Sequence, residues 1–508
     1  MESLFWVLLA SAFSLLMFKL LNTFHRTRTL PPGPRSWPLI GNLNLIGHLL
    51  HQSLHKLSQT YGELMYLKFG STPVVVASSP EMAKQILRTH DRIFASRPQL
   101  AAGRYTTYNY SDIAWAPFGP FWAQGRKIYL NKIFSSTKLD SCKHIRVEEI
   151  RSFVSRLHAS SGNSIVLKDH VSRANLSVIS RIVLGRKYFS ESRDEKEIVT
   201  FDEFREMLDE LFLLNGVLNV GDWMPWLGFM DLQGYVKRMK AVCKRFDRFH
   251  DHVLEEHRAR MKAEGEGFEA KDMVDVLLEM ADDPSLEVKL DTNGVKGFTH
   301  DLIAGGTDTA STTVEWAMSE LIKQPHLIKK ATNELNRVIG RERWVEEADF
   351  PNLPFIDSIL KETMRLHPVA VLLAPHLALE DCIVAGYDIA KGTTVFINTW
   401  SIGRDSNVWD DPHSFRPERF LGRDVDVKGQ HFELLPFGSG RRMCPGYNLG
   451  LKMMRSALGN LLHGFHWNLG QDMKIEDIDM EEVYGLSTQR KLPLVVVPEP
   501  RLPAHLYN

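Results

Sequence analysis

One eleven-residue segment constrains this chain more than any other. It reads Pro-Phe-Gly-Ser-Gly-Arg-Arg-Met-Cys-Pro-Gly over residues 436–446, with Cys444 near its end. Two glycines before the cysteine and one after it permit a tight loop and a close approach of the backbone to a flat ligand. Arg442 places a cation near the thiol, which is expected to lower the pKa of Cys444. An apolar helical pattern over residues 449–462 predicts that the sulfur lies near a helix N-terminus, where negative charge is stabilised.

The composition excludes several other classes of protein. Apolar residues make up 44% and charged residues 24% of the 508 residues, which is ordinary for a globular protein, and the net charge of −1 creates no field for nucleic acid. The four cysteines are few, far apart and without a Cys-x-x-Cys pair. We therefore expect neither a disulfide framework nor a structural zinc site, and such sparse thiols suit a reducing compartment.

The N-terminus reads as a membrane anchor over residues 1–25. Residues 4–21 are almost entirely apolar and as a helix would span about 27 Å, close to the hydrocarbon thickness of a bilayer. Lys19, Arg26 and Arg28 lie at or after the end of this span, which predicts that the rest of the chain faces the cytosol. A cleaved signal peptide is the alternative, but no cation precedes the apolar run.

Residues 26–45 form a predicted proline-rich hinge, and residues 46–508 form the body. Proline fixes φ and lacks an N–H donor, so the run Leu-Pro-Pro-Gly-Pro at 30–34 is expected to be a stiff, extended spacer. Helical periodicity dominates the body, for example over residues 201–214, 236–261 and 295–323, and only short strand-like runs interrupt it. The predicted fold class is mainly α with a small β component in one large domain.

Three further motifs pair residues that could act together. Glu362 and Arg365 share one helix face at a spacing of three residues, and Trp122 and Arg126 do so at a spacing of four. Residues 304–309 read Ala-Gly-Gly-Thr-Asp-Thr within a long helical pattern. Each glycine costs a helix about 1 kcal/mol relative to alanine, so we expect this helix to leave room for a flat cofactor. Each motif alone is also compatible with ordinary packing or surface pairing.

Residues 436–446 resemble the haem-binding signature of cytochromes P450, Phe-x-x-Gly-x-Arg-x-Cys-x-Gly, and the other motifs resemble conserved segments of the same family. The resemblance implies the P450 fold, preceded here by one N-terminal transmembrane helix, and a haem b whose iron is bound by the thiolate of Cys444. It implies that Asp308 and Thr309 deliver protons for oxygen activation, and that Glu362 and Arg365 form a buried network with Arg419. The cofactor-binding residues that it implies are Trp122, Arg126, His376, Phe437, Arg442, Cys444 and Gly446.

The resemblance also implies partners and a location. Electrons would come from NADPH through NADPH-cytochrome P450 reductase, with cytochrome b5 as an optional second donor, at the endoplasmic reticulum membrane with the catalytic domain cytosolic. The segments Arg-Pro-Glu-Arg-Phe at 416–420 and Tyr-Gly-Leu-Ser-Thr at 484–488 are similar to those of plant microsomal, A-type members of the family. Among these members, the sequence most resembles family 92 of the large plant clan. A cluster of basic residues is the predicted docking surface for the reductase: Lys127, Lys132, Lys138, Lys143 and Arg146.

Substrate contacts are assigned by analogy with the family. The predicted residues are largely apolar: Tyr105, Phe212, Ala304, Val369, Val371, Leu372, Leu373 and Leu486. No charged anchor for a substrate acid stands out, which favours a neutral, apolar or phenolic substrate such as a lignan or phenylpropanoid, a flavonoid or a terpenoid. Two alternatives stay open, namely a haem-thiolate isomerase or dehydratase that acts without a reductase, and a non-catalytic membrane-bound haem or ligand binder.

Overall fold

The computed structural model describes Trp6, Ser14 and residues 28–189, 198–470 and 473–507. Except for Trp6 and Ser14, the predicted anchor at residues 1–25 lies outside this part of the chain. Within the described residues, no helix has both the length and the apolarity needed to cross a bilayer.

Helices make up most of the body, as predicted. In chain order they are α1 Leu50–Tyr61, α2 Pro80–Lys84, α3 Ala101–Thr106, α4 Pro120–Ile128, α5 Ser136–Ser141, α6 Lys143–Ala159, α7 Leu167–Leu184, α8 Phe201–Gly216, α9 Val220–Trp223, α10 Tyr235–Glu264, α11 Met273–Asp282, α12 Thr292–Lys323, α13 Pro325–Val338, α14 Pro354–Leu366, α15 Thr399–Ile402 and α16 Tyr447–Gly464. The long helices α8, α10, α12 and α16 all cover the segments where the sequence predicts helical periodicity.

The strands are short and form small sheets. They are β1 Leu64–Phe69, β2 Thr72–Ala77, β3 Ile165–Val166, β4 His376–Leu377, β5 Cys382–Val384, β6 Tyr387–Ile389, β7 Thr394–Ile397, β8 Phe465–Asn468, β9 Glu482–Val483, β10 Gln489–Arg490 and β11 Val495–Pro500. The largest sheet has the order β1-β2-β7-β4, with β2 and β7 parallel and the other pairs antiparallel. Strand β11 lies between β3 and β8 in a second sheet, and β5–β6 and β9–β10 are hairpins.

Local signals explain where the helices that position the site begin. Thr200 and Glu203 form a capping box at the start of α8, which satisfies two backbone N–H groups at that end. The Asp291 side chain accepts a hydrogen bond from the Gly294 N–H at the start of α12. Helix α12 is almost completely buried and packs most extensively against α7, so it forms the central wall of the molecule.

The predicted hinge has no regular secondary structure over residues 28–36 and then forms a turn and a short 3-10 helix at Leu43–Leu45, and it is not a free spacer. The Tyr66 N–H donates to the Pro32 carbonyl, and the Asp388 N–H donates to the Thr29 carbonyl. Arg28 forms an ion pair with Asp381. The proline-rich stretch therefore packs along the sheet region, because its unpaired carbonyls find donors there.

Candidate haem site

The cysteine loop lies between the large sheet region and the N-terminus of α16. The Cys444 N–H donates to the Phe437 carbonyl at 2.9 Å, which closes the loop, and Gly446 immediately precedes α16. Gly440 has φ of +68°, and a Cβ there would lie 2.2 Å from the Leu87 carbonyl oxygen. This position therefore requires glycine for both its backbone conformation and its surroundings.

The sulfur of Cys444 faces a cavity of about 310 Å³ that Phe437 and Gly446 also line. Burial raises the pKa of the Cys444 thiol, while the Gly446 N–H and the charge of Arg126 lower it. The expectation that Arg442 lowers this pKa is wrong, because the Arg442 guanidinium points away to backbone carbonyls. A metal ion bound to the sulfur would stabilise the thiolate form against this effect of burial.

Two adjacent glycines in α12 have different surroundings. A Cβ on Gly305 would meet nothing within 4 Å, because this residue faces the open cavity. A Cβ on Gly306 would lie 2.5 Å from Cδ1 of Ile179 on α7, so Gly306 permits close helix packing. The glycine pair thus combines open space in the cavity at Cys444 with a close contact to α7.

The structure separates the two residues predicted to deliver protons. Thr309 lines the cavity, and its hydroxyl donates to the Gly305 carbonyl at 2.9 Å. Asp308 is buried and forms an ion pair with Lys168 at 2.9 Å. Its carboxylate also accepts from Gln489 at 3.0 Å and from Ser487 at 3.2 Å. Asp308 is therefore held in a polar network and does not line the cavity.

Buried cations surround one end of the cavity. Arg442 donates to the Ala95 and Ala116 carbonyls, each at 2.6 Å, and its guanidinium lies 4.4 Å from the centre of the Trp122 ring. Arg97, Arg126 and Arg442 all line the cavity. Trp122 also lines it, and its buried Nε1–H donor has no partner among the described residues.

The electrostatics of this end favour an anionic ligand. Burial lowers the pKa of Arg442 to about 8, and repulsion from Arg97 and Arg126 contributes to this decrease. Burial also lowers the pKa values of Arg126 and Arg97, that of Arg97 to about 10. The charge of Asp112 acts in the opposite direction and raises the pKa values of Arg97 and Arg442. Two carboxylates among these three guanidiniums would relieve their repulsion and accept from the Trp122 indole.

His376 does not fill the role that the sequence suggests for it. It does not line the cavity, and its Nδ1 donates to the Phe94 carbonyl at 2.7 Å. Burial and repulsion from Arg97 lower its pKa to about 3, so the ring is neutral and its remaining nitrogen can only accept a hydrogen bond. A carboxylate also only accepts, so Arg97 is the better candidate for this contact.

The predicted ionic network is assembled and fully buried. Arg365 donates to both oxygens of Glu362 at 2.7 and 2.8 Å, and Arg419 donates to one of them at 3.0 Å. The exposed fractions of the three side chains are 0%, 0% and 5% for Arg365, Glu362 and Arg419. Arg365 also donates to the Pro412 and Ser414 carbonyls, so the network ties α14 to residues 412–419.

The predicted substrate residues fall into three groups. Phe212, Ala304 and Leu486 line the cavity at Cys444. A smaller neighbouring cavity of about 40 Å³ is lined by Leu486 again and by Val371, Leu372 and Leu373. Tyr105 and Val369 line neither cavity.

Among the residues that line the cavity at Cys444, sequence reasoning missed Arg97, His300 and Asp301. The Asp301 carboxylate accepts from the Ile113 N–H at 2.7 Å and from the Ala114 N–H at 3.2 Å, and it thereby holds the loop after α3 against α12. Burial raises the pKa of Asp301 to about 7. Each of these residues stands alone in the sequence, and only the fold brings it to the site.

The fold and the site together define a haem-thiolate protein. One cysteine sulfur, a flat space beside Gly305, and three guanidiniums with an unpaired indole N–H fit the iron, the ring and the two propionates of a haem.

The comparisons agree with this class. The sequence model of the family described as Cytochrome P450 matches residues 31–497. Among similar proteins, Trimethyltridecatetraene synthase of Zea mays is 46% identical over 94% of this chain and 90% of its own length. Flavonoid 3'-monooxygenase of Petunia hybrida is 41% identical over the full length of both chains. A zebra fish cytochrome P450 structure with progesterone has a TM-score of 0.75 and 27% identity, covering 89% of this chain and 99% of that one.

The chain therefore belongs to the cytochrome P450 family. It is a haem-thiolate monooxygenase, and a reductase partner supplies electrons from NADPH.

Proposed function

We propose that this monooxygenase oxidises a neutral, apolar or phenolic plant specialised metabolite. The lignan or phenylpropanoid, flavonoid and terpenoid classes are the candidates. The observation behind this proposal is that apolar and aromatic side chains form most of the cavity wall away from the arginines. The names of the relatives, which include flavonoid 3'-monooxygenases and a Dimethylnonatriene synthase of Zea mays, support the flavonoid and terpenoid classes.

The residues of the site act around the cofactor. Cys444 would hold a haem through its sulfur, and the bound haem would supply the oxidising chemistry. Arg97, Arg126, Arg442 and Trp122 would hold the propionate edge of the haem, and the apolar walls orient the substrate and exclude water. Thr309 places a hydroxyl beside the open face at Gly305, where it donates or relays a proton.

We assign Asp308 the role of a proton source behind Thr309. Its carboxylate is bound to Lys168, Ser487 and Gln489, so it would act only after exchanging one of these contacts for a path to the cavity. The bracing of the cysteine loop is the proposed role of Glu362, Arg365 and Arg419.

The reductase is expected to dock on the side of the cysteine loop. Lys127, Lys132 and Lys143 are exposed and form no ion pair within the described part of the chain. A Cβ on Gly446 would lie 3.4 Å from Cζ of Phe134, so Phe134 brings this basic segment close to the Cys444 side. Arg146 does not belong to the surface, because it is 2% exposed and bound to Glu347. An acidic face on the reductase fits the remaining lysines, with Lys138 half-buried among them.

The membrane prediction has support from an exposed apolar surface. Trp37 and Leu39 are 64% and 72% exposed, and Phe229 and Leu232 are 86% and 58% exposed. Residues 70–71 hydrogen-bond both to Ile40, next to Leu39, and to Trp223, which precedes Phe229 in the chain. This surface fits the interface of the endoplasmic reticulum membrane, next to the proposed anchor. We also propose that cytochrome b5 can act as a second electron donor. As the finer classification we propose family 92 of the large plant clan.

The test is expression in microsomes with a plant reductase, feeding of lignans, flavonoids and terpene alcohols, and identification of products by mass. The proposal expects NADPH-dependent products that are heavier by one oxygen atom, or products of ring closure or C–C cleavage. Turnover without NADPH and reductase would instead favour an isomerase or dehydratase. A thiolate band with carbon monoxide but no turnover of any compound would favour a ligand binder.

A further inference from the structure

Two described residues that line the cavity have a buried polar atom without a hydrogen-bond partner. They are Trp122 through Nε1 and His300 through Nε2. A buried unpaired polar group is costly and indicates a missing partner. The position of Trp122 among three arginines accounts for its free donor, since a haem propionate fits there. Within the described residues, no group forms a hydrogen bond with Nε2 of His300, and the unpaired Nε2 of the neighbouring His250 does not do so either.

The surroundings of His300 hold its ring in place. The ring lies edge-on against Phe246 with centroids 4.6 Å apart, and edge-on against His250 with centroids 5.5 Å apart. The Tyr108 hydroxyl forms a 2.9 Å hydrogen bond with Nδ1 of His250. Tyr108 thereby fixes the ring of His250, which in turn supports the ring of His300.

His300 presents a neutral imidazole to the cavity. Burial lowers its pKa to about 4, so near neutral pH the ring has one donor and one acceptor nitrogen. Burial, followed by repulsion from His300 and Lys296, also lowers the pKa of His250. The ring therefore suits a neutral oxygen function rather than a carboxylate.

Other polar side chains in this part of the cavity are already engaged. The Asn215 amide donates to the Leu211 carbonyl at 2.9 Å and exchanges hydrogen bonds with Thr106. The Thr107 hydroxyl donates to the Gly103 carbonyl at 2.8 Å. His300 thus remains as a free group for recognising a polar function on an otherwise apolar ligand.

We propose that His300 is a specificity-determining residue that hydrogen-bonds a hydroxyl or carbonyl oxygen of the substrate. This inference rests on the proposed function and narrows its substrate class to oxygen-bearing apolar molecules. His300 precedes Gly305 by five residues on α12, so the two positions are about 7.5 Å apart along the helix axis. The recognised oxygen and the oxidised carbon accordingly belong to different ends of the substrate.

The test uses ligand pairs that differ by one hydroxyl, and full-length protein loaded with haem. The pairs are farnesol with farnesene, and 4′-hydroxyflavanone with flavanone. The Kd of each ligand is read from the shift of the haem absorption band on titration. The wild type should bind the oxygenated member of at least one pair more tightly. His300→Leu should weaken that ligand by about 3- to 10-fold and leave its deoxygenated partner unchanged, and His300→Gln should restore much of the loss.

Met273→Leu is the matched control, because it changes a cavity-lining residue without changing polarity, and it should alter neither ligand selectively. An equal effect of His300→Leu on both members of each pair, or no effect on either, would overturn the inference. Should the leucine variant fail to fold, equal wild-type affinities within both pairs would overturn it as well. Loss of the proposed function would be seen separately, as absence of the thiolate band or of turnover in the wild type.

Discussion

Glu362→Gln tests the energetic role of the buried ionic network. The carboxylate accepts four hydrogen bonds: two from Arg365, one from Arg419 and one, at 2.7 Å, from the Arg416 N–H. Three of these converge on Oε1, so the amide oxygen of glutamine can replace Oε1 while its NH2 group faces the Nε donor of Arg365. The variant therefore loses one charged hydrogen bond and leaves two buried guanidiniums without a counter-charge. We expect the free energy of unfolding to fall by ~3–5 kcal/mol.

The assay is urea unfolding followed by circular dichroism, with the haem content of each variant matched. Glu418→Gln is the control, because Glu418 adjoins Arg419 in sequence but pairs with Lys330 at the surface, where the two side chains are 40% and 45% exposed. Loss of this exposed pair should cost less than about 1 kcal/mol. Equal effects of the two variants, or a cost below about 1 kcal/mol for Glu362→Gln, would refute the reasoning.

Three further outcomes are expected. Thr309→Ala should retain haem but lower the amount of product formed per NADPH consumed, with the balance released as hydrogen peroxide, and an unchanged ratio would exclude the hydroxyl from proton delivery. Lys132→Glu combined with Lys143→Glu should slow reduction of the haem by the reductase roughly 3- to 10-fold in stopped-flow measurements at low salt. The rate of the double variant should also depend less on salt, and unaltered kinetics would exclude this docking surface. The folded pKa of Asp301, about 7, lies above its unfolded value. Its contribution to stability is therefore progressively lost as pH rises from about 4 to 7, and Asp301→Asn should flatten this part of the stability profile; an unchanged slope would contradict the shift.

Helices and the cysteine loop could be predicted from sequence because their determinants are local. The periodicity over residues 295–323 and 449–462 lies in consecutive residues and matches α12 and α16 closely. The glycines around Cys444 likewise encode a tight loop without reference to distant residues. The pairing of Glu362 with Arg365 is also local, and only the resemblance to the family linked it to Arg419.

The directions of individual side chains could not be predicted, because contacts from distant parts of the chain decide them. Asp308 lies on the side of α12 that contacts Lys168 and residues 487–489, and not on the side that lines the cavity. His376 is neutral because of its burial and of repulsion from Arg97, and the Phe94 carbonyl fixes Nδ1 as the donor nitrogen; both residues are far from it in sequence. Arg97 and His300 belong to no local motif, so only the assembled fold identifies them as part of the site.

The absorption spectrum of the reduced, carbon monoxide-bound protein tests the ligation of the haem most directly. Wild-type protein should give the band of a thiolate-ligated haem, and Cys444→Ser should lose this band and NADPH-dependent turnover together, because an oxygen ligand does not donate electron density to the iron as a thiolate does. A serine variant with an unaltered spectrum and activity would mean that another residue binds the iron.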